Sequence, residues 1–201
     1  MNRLIIIGAG GHGKVAMDIA QIIGYDDVCF LADNDAPDMN VVGRVSDFDR
    51  FADSCDFFVA VGNNSARARI QNEISAKSGN IINLIHPNAF VSSMAKLGLG
   101  VIIMAGAVVN ADAVLGDGVI VNTCASVDHD CTVGDFAHVS VGAHLAGTVM
   151  VGEKTFIGAG ATVINNISIC DGCTIGAGAV VVKNITEKGT YVGVPAKRLE
   201  K

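Results

Sequence analysis

Branched hydrophobic residues recur every six positions from Val91 to Val181. Each of sixteen consecutive hexads in this run opens with Val, Leu or Ile, and the residue four places later is small or β-branched. A period of six fits neither an amphipathic helix nor one long strand. The pattern predicts a solenoid of short strands, in which each turn buries a branched side chain beside a small one and stacks on its neighbours.

Glycine often follows the first residue of a hexad, and we interpret these positions as corners that need an unusual φ. They are Gly98, Gly116, Gly134, Gly152, Gly158 and Gly176. The run resembles the left-handed parallel β-helix of hexapeptide acyltransferases. That resemblance implies three hexads per coil and therefore about five coils.

The N-terminal part alternates between strand and helix patterns. Strands are predicted over residues 3–7, 28–31, 56–61 and 81–85, and helices over 14–23 and 65–77, with Ser65 as the N-cap of the second helix. Residues 36–53 read as a weaker loop or helix. The predicted fold class is thus a small Rossmann-like parallel α/β domain over residues 1–85, followed by a left-handed parallel β-helix over 86–201 with a short C-terminal tail.

A glycine-rich loop joins the first predicted strand to the first helix. Gly8, Gly10 and Gly13 satisfy the dinucleotide fingerprint, and Asp33 stands about 20 residues beyond. Glycines let backbone N–H groups approach a phosphate, and a helix N-terminus favours an anion. Because the α/β part is one mononucleotide half, we favour a nucleotide-bearing ligand over NAD. A purely structural turn remains an alternative.

Charge and composition narrow the functional classes. A net charge of −6 does not suggest binding to nucleic acid or to an anionic membrane, and no apolar run reaches spanning length. Glycines interrupt the first apolar stretch too early for a signal peptide, so we expect a cytoplasmic protein. Six cysteines show no disulfide spacing. In the hexad register Cys173 points inward and Cys170 outward, so this C-x-x-C pair is not expected to hold a metal.

Several motifs together resemble the nucleotide-sugar acetyltransferases, in particular the bacillosamine-pathway enzymes that N-acetylate a UDP-4-amino-sugar. The sialic-acid O-acetyltransferases are a sister branch. The motifs are Gly-Ala-Gly-Gly-His-Gly (8–13), Phe-Leu-Ala-Asp (30–33), Val-Ala-Val-Gly-Asn-Asn (59–64), Leu-Ile-His-Pro (84–87), Val-Asn-Thr (121–123), Asp-His-Asp-Cys (128–131), His-Val-Ser-Val-Gly-Ala (138–143) and Val-Gly-Val-Pro-Ala-Lys (192–197).

The resemblance implies a substrate site in the glycine-rich domain. The residues that would contact the nucleotide sugar are Gly10, Gly11, His12, Ala32, Asp33 and Gly62. Family members often carry an acidic residue where this chain has Ala32, so that contact would involve backbone only.

The register and the resemblance together select candidate catalytic residues. His129 and Asp130 fall at outward positions, and the family places the general base and its acidic helper there. The short side chain of Asp130 leaves open whether Asp130 or Asp128 contacts the imidazole. His138 and His144 also fall at outward positions of the register, and the resemblance implies that His138 touches acetyl-CoA.

Further family roles concern the carrier and the oxyanion. Ala159 and Ala177 would offer backbone contacts to the pantetheine arm, and Gly147 is a candidate oxyanion donor. Lys197 and Arg198 are either contacts for a CoA phosphate or solvated tail charge.

These features predict an acetyl-CoA-dependent N-acetyltransferase that acts on the 4-amino group of a UDP-4-amino-4,6-dideoxy sugar in bacterial glycan biosynthesis. The acceptor would attack the thioester directly with His129 as base, and no metal is expected. The resemblance implies a homotrimer with sites between subunits. A sugar O-acetyltransferase is the alternative. A γ-type zinc carbonic anhydrase using histidines 129, 138 and 144 is a remote one. The acceptor atom, the nucleotide and the sugar stay open.

Overall fold

The computed structural model describes residues 3–200, which belong to two compact units, Met1–His86 and Pro87–Lys201. The elements of the first unit are β1 (Arg3–Ile7), α1 (Gly11–Ile22), β2 (Val28–Leu31), β3 (Val41–Gly43), a 3₁₀ turn (Val45–Arg50), β4 (Cys55–Val59), α2 (Asn64–Ala76), β5 (Asn80–Ile81) and β6 (Leu84–Ile85). Five of these strands form a parallel sheet with the order β3-β2-β1-β4-β5.

The sheet core consists of apolar side chains from the central strands, which are buried on both faces as parallel strands require. Ile5, Ile7, Phe57 and Val59 are at most 1% exposed and pack with Ile74 of α2. Because β1 lies between β2 and β4, the loops that leave the carboxyl ends of these three strands meet at one edge.

Both helices begin earlier than the sequence suggested. Helix α1 starts at Gly11, inside the glycine-rich loop. The N-cap of α2 is Asn63 rather than Ser65, because the Asn63 side chain accepts a hydrogen bond from the N–H of Ala66 at 2.9 Å. Residues 36–53, which the pattern left undefined, contain the edge strand β3 and the 3₁₀ turn.

The second unit is a parallel β-helix of mostly two-residue strands. Strands on one face pair at a spacing of eighteen residues, as Val109 does with Val91 and Val127, which is three hexads per coil. The strands are β7 (Phe90–Val91), β8 (Lys96–Leu97), β9 (Ile102–Ile103), β10 (Val108–Val109), β11 (Val114–Leu115), β12 (Ile120–Val121), β13 (Ser126–Val127), β14 (Thr132–Val133), β15 (His138–Val139), β16 (His144–Leu145), β17 (Met150–Val151), β18 (Phe156–Ile157), β19 (Thr162–Val163), β20 (Ser168–Ile169), β21 (Thr174–Ile175), β22 (Val180–Val181), β23 (Thr190–Val192) and β24 (Lys197–Arg198). Within this unit they form three sheets with the orders β22-β19-β16-β13-β10-β7, β20-β17-β14-β11-β8 and β24-β23-β21-β18-β15-β12-β9.

The corner glycines act differently from our expectation. The glycine after the first residue of a hexad does not adopt a positive φ; the left-handed residue lies two places later, as at Gly118 and Asp130. Gly116 and Gly134 are needed because a Cβ there would lie 2.8 Å and 2.7 Å from a backbone nitrogen of the next coil. Close stacking of the coils, and not local φ, therefore selects these glycines.

The hexad register ends after Val181. Ile185 forms a bridge with Ile169, and Thr190 pairs with Thr174, so the spacing falls from eighteen to sixteen residues. The last coil is therefore two residues shorter than those before it.

Candidate active site

His129 lies at the corner between β13 and β14, in a turn whose next residue, Asp130, has a φ of 58°. Aspartate is among the few residues that tolerate this left-handed conformation. The turn directs the Asp130 carboxylate at the imidazole, and the distance from His129 Nδ1 to Asp130 Oδ2 is 2.7 Å. The corner is open, since the two side chains are 58% and 56% exposed.

Asp128 supports the backbone and not the ring. Its Oδ1 accepts hydrogen bonds from the N–H of His129 and from Nδ2 of Asn110, both at 2.8 Å. Asn110 occupies the equivalent place one coil earlier, so the aspartate is held between two coils. Of the two carboxylates that the sequence left open, Asp130 is the one that contacts the imidazole.

The electrostatics of the corner favour a proton-accepting imidazole. The hydrogen bond that His129 Nδ1 donates to Asp130 is the main cause that raises the pKa of His129. The hydrogen bonds from Asn110 and the His129 N–H lower the pKa of Asp128. An ionised carboxylate only accepts hydrogen bonds, so Nδ1 of His129 carries the proton and Nε2 is the acceptor.

Gly147, one coil after His129, forms the surface under the imidazole. A Cβ at position 147 would lie 2.5 Å from Nε2 and 2.6 Å from Cε1 of His129. The ring can occupy its position only because residue 147 has no side chain. The hexad pattern did not reveal this role, because it concerns two residues eighteen apart that face each other across coils.

His138 is buried, in contrast to the exposed position that the register suggested. It is only 9% exposed, because the Phe156 ring of the next coil packs edge-on at 5.0 Å. Its Nε2 lies 3.1 Å from Nδ2 of Asn122. His138 is thus a nearly buried ring that contacts Asn122 and Phe156.

Ala159 and Ala177 lie one above the other at exposed corners of successive coils. The carbonyl of Ala159 accepts a hydrogen bond from the N–H of Gly178 at 2.8 Å. A Cβ built at Gly160 or Gly178 would have no atom within 4 Å. This column therefore presents an unobstructed strip of backbone.

In the first unit, two clefts lie beside the carboxyl ends of β1 and β2. One, of about 290 Å³, is lined by Gly10, Gly11 and Lys14 together with residues 35–39. The other, of about 790 Å³, is lined by Ala32 and Asp33 together with residues from 34 to 47. Residues 35–37 and Met39 line both clefts. The sequence pattern missed this segment, because a cleft wall made of loop has no periodicity.

The glycine-rich loop allows both tight packing of α1 on β1 and the approach of a ligand to the backbone. A Cβ at Gly13 would collide with the carbonyl of Gly8, so this glycine lets the start of α1 pack against the end of β1. Gly10, Gly11 and Gly62 instead border open space, since a Cβ there would meet nothing within 4 Å. The open glycines therefore mark the side on which a ligand can approach backbone N–H groups.

His12 is half-buried in this loop, and the charge of the buried Arg67 acts on it. Neither His12 nor Gly62 lines the two clefts. Burial, and secondly the charge of Arg67, lowers the pKa of His12 to about 4, so its imidazole is neutral at pH 7. Among residues 3–200, Nε2 of His12 is a buried nitrogen without a hydrogen-bond partner.

Arg67 ties the end of β4 to α2. It is 1% exposed, and Nη1 donates to the carbonyls of Val61 at 2.9 Å and Gly62 at 3.4 Å, while Nη2 donates to Asn64 Oδ1 at 2.9 Å. Burial lowers its pKa to about 10, so it stays charged at neutral pH. This buried cation was not recognised in the sequence, where the residue reads as one more charge on a helix.

The histidines of the β-helix have separate partners within the chain. Nδ1 of His144 lies 2.9 Å from Ser126 Oγ, whereas His129 and His138 contact Asp130 and Asn122. Within residues 3–200, no group of three or more His, Cys, Asp or Glu side chains is arranged to hold a metal ion.

Two family models match the chain. Residues 3–74 match the PglD N-terminal domain, and residues 148–183 match the bacterial transferase hexapeptide (six repeats). The two models match the α/β unit and the β-helix respectively.

Two solved structures are similar over nearly the whole chain. The acetyltransferase domain of PglB from Neisseria gonorrhoeae FA1090 is 43% identical with a TM-score of 0.95, over 99% of this chain and 100% of that chain. PerB from Caulobacter crescentus, in complex with CoA and GDP-perosamine, is 37% identical with a TM-score of 0.95, over 100% of this chain and 98% of that chain. The chain belongs to the hexapeptide-repeat nucleotide-sugar acetyltransferases. The expected left-handed β-helix and α/β domain of this family are confirmed.

A curated member of the family matches over a shorter stretch. The chain is 36% identical over 115 residues to UDP-N-acetylbacillosamine N-acetyltransferase of Bacillus subtilis (strain 168). The match covers 52% of this chain and 52% of that protein, so it spans about half the length of the curated relative. No helix within residues 3–200 has the length and apolar character to cross a membrane.

Proposed function

We propose that the chain is an acetyl-CoA-dependent N-acetyltransferase that acts on the 4-amino group of a UDP-4-amino-4,6-dideoxy sugar in bacterial glycan biosynthesis. The observation that carries the proposal is the hydrogen bond of 2.7 Å between His129 Nδ1 and Asp130. It leaves Nε2 as a proton acceptor at an open corner of a fold whose family transfers acetyl groups.

The proposed mechanism is direct attack with His129 as general base. The neutral sugar amine attacks the thioester carbon, and its proton passes to Nε2 of His129. The tetrahedral intermediate then collapses, the carbon–sulfur bond breaks, and CoA leaves with the proton that His129 returns. Asp130 orients the ring and stabilises its protonated form.

The oxyanion of the intermediate requires a donor that is already in place. Gly147 is the candidate, because its backbone is adjacent to the reactive edge of the imidazole. A backbone N–H at this position would cost no reorganisation when the charge develops.

The nucleotide sugar is assigned to the first unit. Gly10, Gly11, Ala32, Asp33 and Gly62 follow three adjacent strands, and the N-terminus of α1 favours a diphosphate. We also assign His12 to this site, because its Nε2 has no hydrogen-bond partner among residues 3–200.

Acetyl-CoA is assigned to the β-helix. The exposed backbone at Ala159 and Ala177 suits the amides of a pantetheine arm, and we propose that His138 also contacts acetyl-CoA. Support comes from relatives: the PglB domain has been solved in complex with acetyl coenzyme A. We also propose a homotrimer with sites between subunits, for which light scattering in solution is the test.

A GDP-linked 4-amino sugar is a second candidate acceptor, because PerB was solved with GDP-perosamine. Thiol release from acetyl-CoA separates the candidates when UDP-4-amino-4,6-dideoxy sugars, GDP-perosamine and CMP-sialic acid are compared, with His129→Ala as the control. Release with the UDP sugar supports the proposal. Release with GDP-perosamine alone would mean that the substrate carries GDP and not UDP. Release with the sialic acid alone would mean that the reaction is O-acetylation and not N-acetylation.

A further inference from the structure

The two sulfur atoms of Cys170 and Cys173 lie 3.4 Å apart at a corner of the β-helix. The hexad register predicts that Cys173 points inward and Cys170 outward. The burial agrees, since Cys173 is 1% exposed and Cys170 is half-buried. The sulfurs meet nevertheless, because the two residues are the ends of one four-residue turn.

On this face of the β-helix, the residue that follows each strand has room for a side chain only at Cys170. The equivalent residues of earlier coils include Gly134 and Gly152, where a Cβ would lie 2.7 Å and 2.5 Å from a backbone nitrogen of the coil above. The coil above Cys170 is two residues shorter, so Ile169 pairs with Ile185 at a spacing of sixteen residues and not eighteen. The shorter coil relieves the contact that demands glycine elsewhere.

A buried hydroxyl holds the ends of this turn together. Thr155 Oγ1 donates to the carbonyl of Cys170 at 2.9 Å and accepts from the N–H of Cys173 at 3.1 Å. Residues i and i+3 of such a turn have Cα atoms less than about 7 Å apart. That separation overlaps the range of about 4.4–6.8 Å that a disulfide requires.

The two thiols differ in their access to solvent. Burial, with a smaller contribution from the hydrogen bond to Cys170, raises the pKa of Cys173 to about 11. Its sulfur lies 3.7 Å from the carbonyl of Glu187, an acceptor on the covering segment. Cys170 is the more accessible thiol, so an external disulfide meets it first.

We propose that Cys170 and Cys173 form a dithiol site that small disulfides of the glutathione type oxidise to an intramolecular disulfide. The Cys170 thiolate attacks the external disulfide, which releases one thiol and leaves a mixed disulfide on Cys170. Cys173 loses its proton and attacks the Cys170 sulfur, which releases the second thiol. The protein loses two protons and two electrons, and the external disulfide gains them as it becomes two thiols. This chemistry is independent of acetyl transfer.

Oxidised glutathione tests the proposal on the whole protein. After incubation, acid quenching and alkylation, trypsin releases residues 155–183, which contain these two cysteines and no other. The expected product is this peptide lighter by two hydrogens, unalkylated, and restored by dithiothreitol. The exposed Cys124 is the internal control, for which only a mixed disulfide with glutathione is expected.

Single variants identify the order of attack. Cys173→Ser is expected to accumulate glutathione on Cys170, because the resolving thiol is missing. Cys170→Ser is expected to resist modification at Cys173. The proposal is overturned if both thiols of the peptide remain alkylated under conditions that load glutathione on Cys124, or if the two variants take up glutathione at equal rates.

Discussion

Replacement of Gly147 by alanine tests whether the position of the His129 ring depends on the missing side chain. The backbone at 147 does not need the left-handed region, so alanine introduces no φ strain. Its Cβ would lie 2.5 Å from Nε2, whereas an ordinary contact begins near 3.4 Å. The imidazole must therefore move by about 0.9 Å, away from the geometry that its hydrogen bond to Asp130 maintains.

The expected loss follows from this displacement. A misplacement of about 1 Å can lower the rate about 100-fold, so we expect kcat to fall by about that factor while the KM for acetyl-CoA changes little. The backbone N–H of residue 147 is retained in this variant. A lower kcat would therefore result from the displaced His129 ring and not from loss of the proposed oxyanion donor. Asn165→Ala, at the equivalent exposed place one coil later, is the matched control and should leave kcat unchanged.

Thiol release under saturating substrates measures kcat for Gly147→Ala in the native background and in the His129→Ala background. Because both substitutions act on one ring, their effects should not add, and Gly147→Ala should cost little when His129 is already absent. A kcat for Gly147→Ala within a few-fold of native, or an equal loss in both backgrounds, would refute the reasoning.

Three further predictions concern single side chains. Asp130→Asn removes the main cause that raises the pKa of the neighbouring imidazole, so the acidic limb of kcat/KM, where the base becomes protonated, should move to lower pH in a pH–rate profile. Gly10→Ala adds a methyl group in open space, so it should raise the KM for the nucleotide sugar without lowering Tm. Gly13→Ala forces a collision with the backbone of Gly8, so it should lower Tm. Equal effects of the two variants on Tm would contradict this distinction. Arg67→Met leaves buried carbonyls without their donor, so the free energy of unfolding measured in urea should fall by about 1–3 kcal/mol. The control is Arg69→Met, which removes only an exposed ion pair with Glu73 and should change the free energy of unfolding by less than about 0.5 kcal/mol. Similar losses in the two variants would mean that the burial of Arg67 is not the cause.

The periodic features of the fold could be predicted because each repeats a physical requirement many times. The inward hydrophobic position recurs in every hexad, so one register places Val127, Val139 and Val163 in the core together. The corner glycines were located correctly but explained wrongly. Their contacts are made with the coil above, and a reading along one chain segment does not contain those contacts.

Residues that act across the fold were the ones the sequence could not reveal. Gly147 and His129 meet only because the coil length is eighteen residues. The room for a side chain at Cys170 depends on a coil that is two residues shorter, which the hexad pattern does not predict. The choice between Asp130 and Asp128 required the left-handed φ of Asp130, which turns one carboxylate to the ring and leaves the other to the backbone.

The central claim is that His129 takes the proton of a nucleotide-linked sugar amine, and the most direct test is His129→Ala with a UDP-4-amino-4,6-dideoxy sugar. A general base contributes about 10²–10⁴-fold to the rate, so kcat should fall by that range. Binding of acetyl-CoA and of the nucleotide sugar, measured by calorimetry, should remain close to native because the side chain is exposed and its loss opens no core cavity. Near-native turnover by this variant would contradict the account.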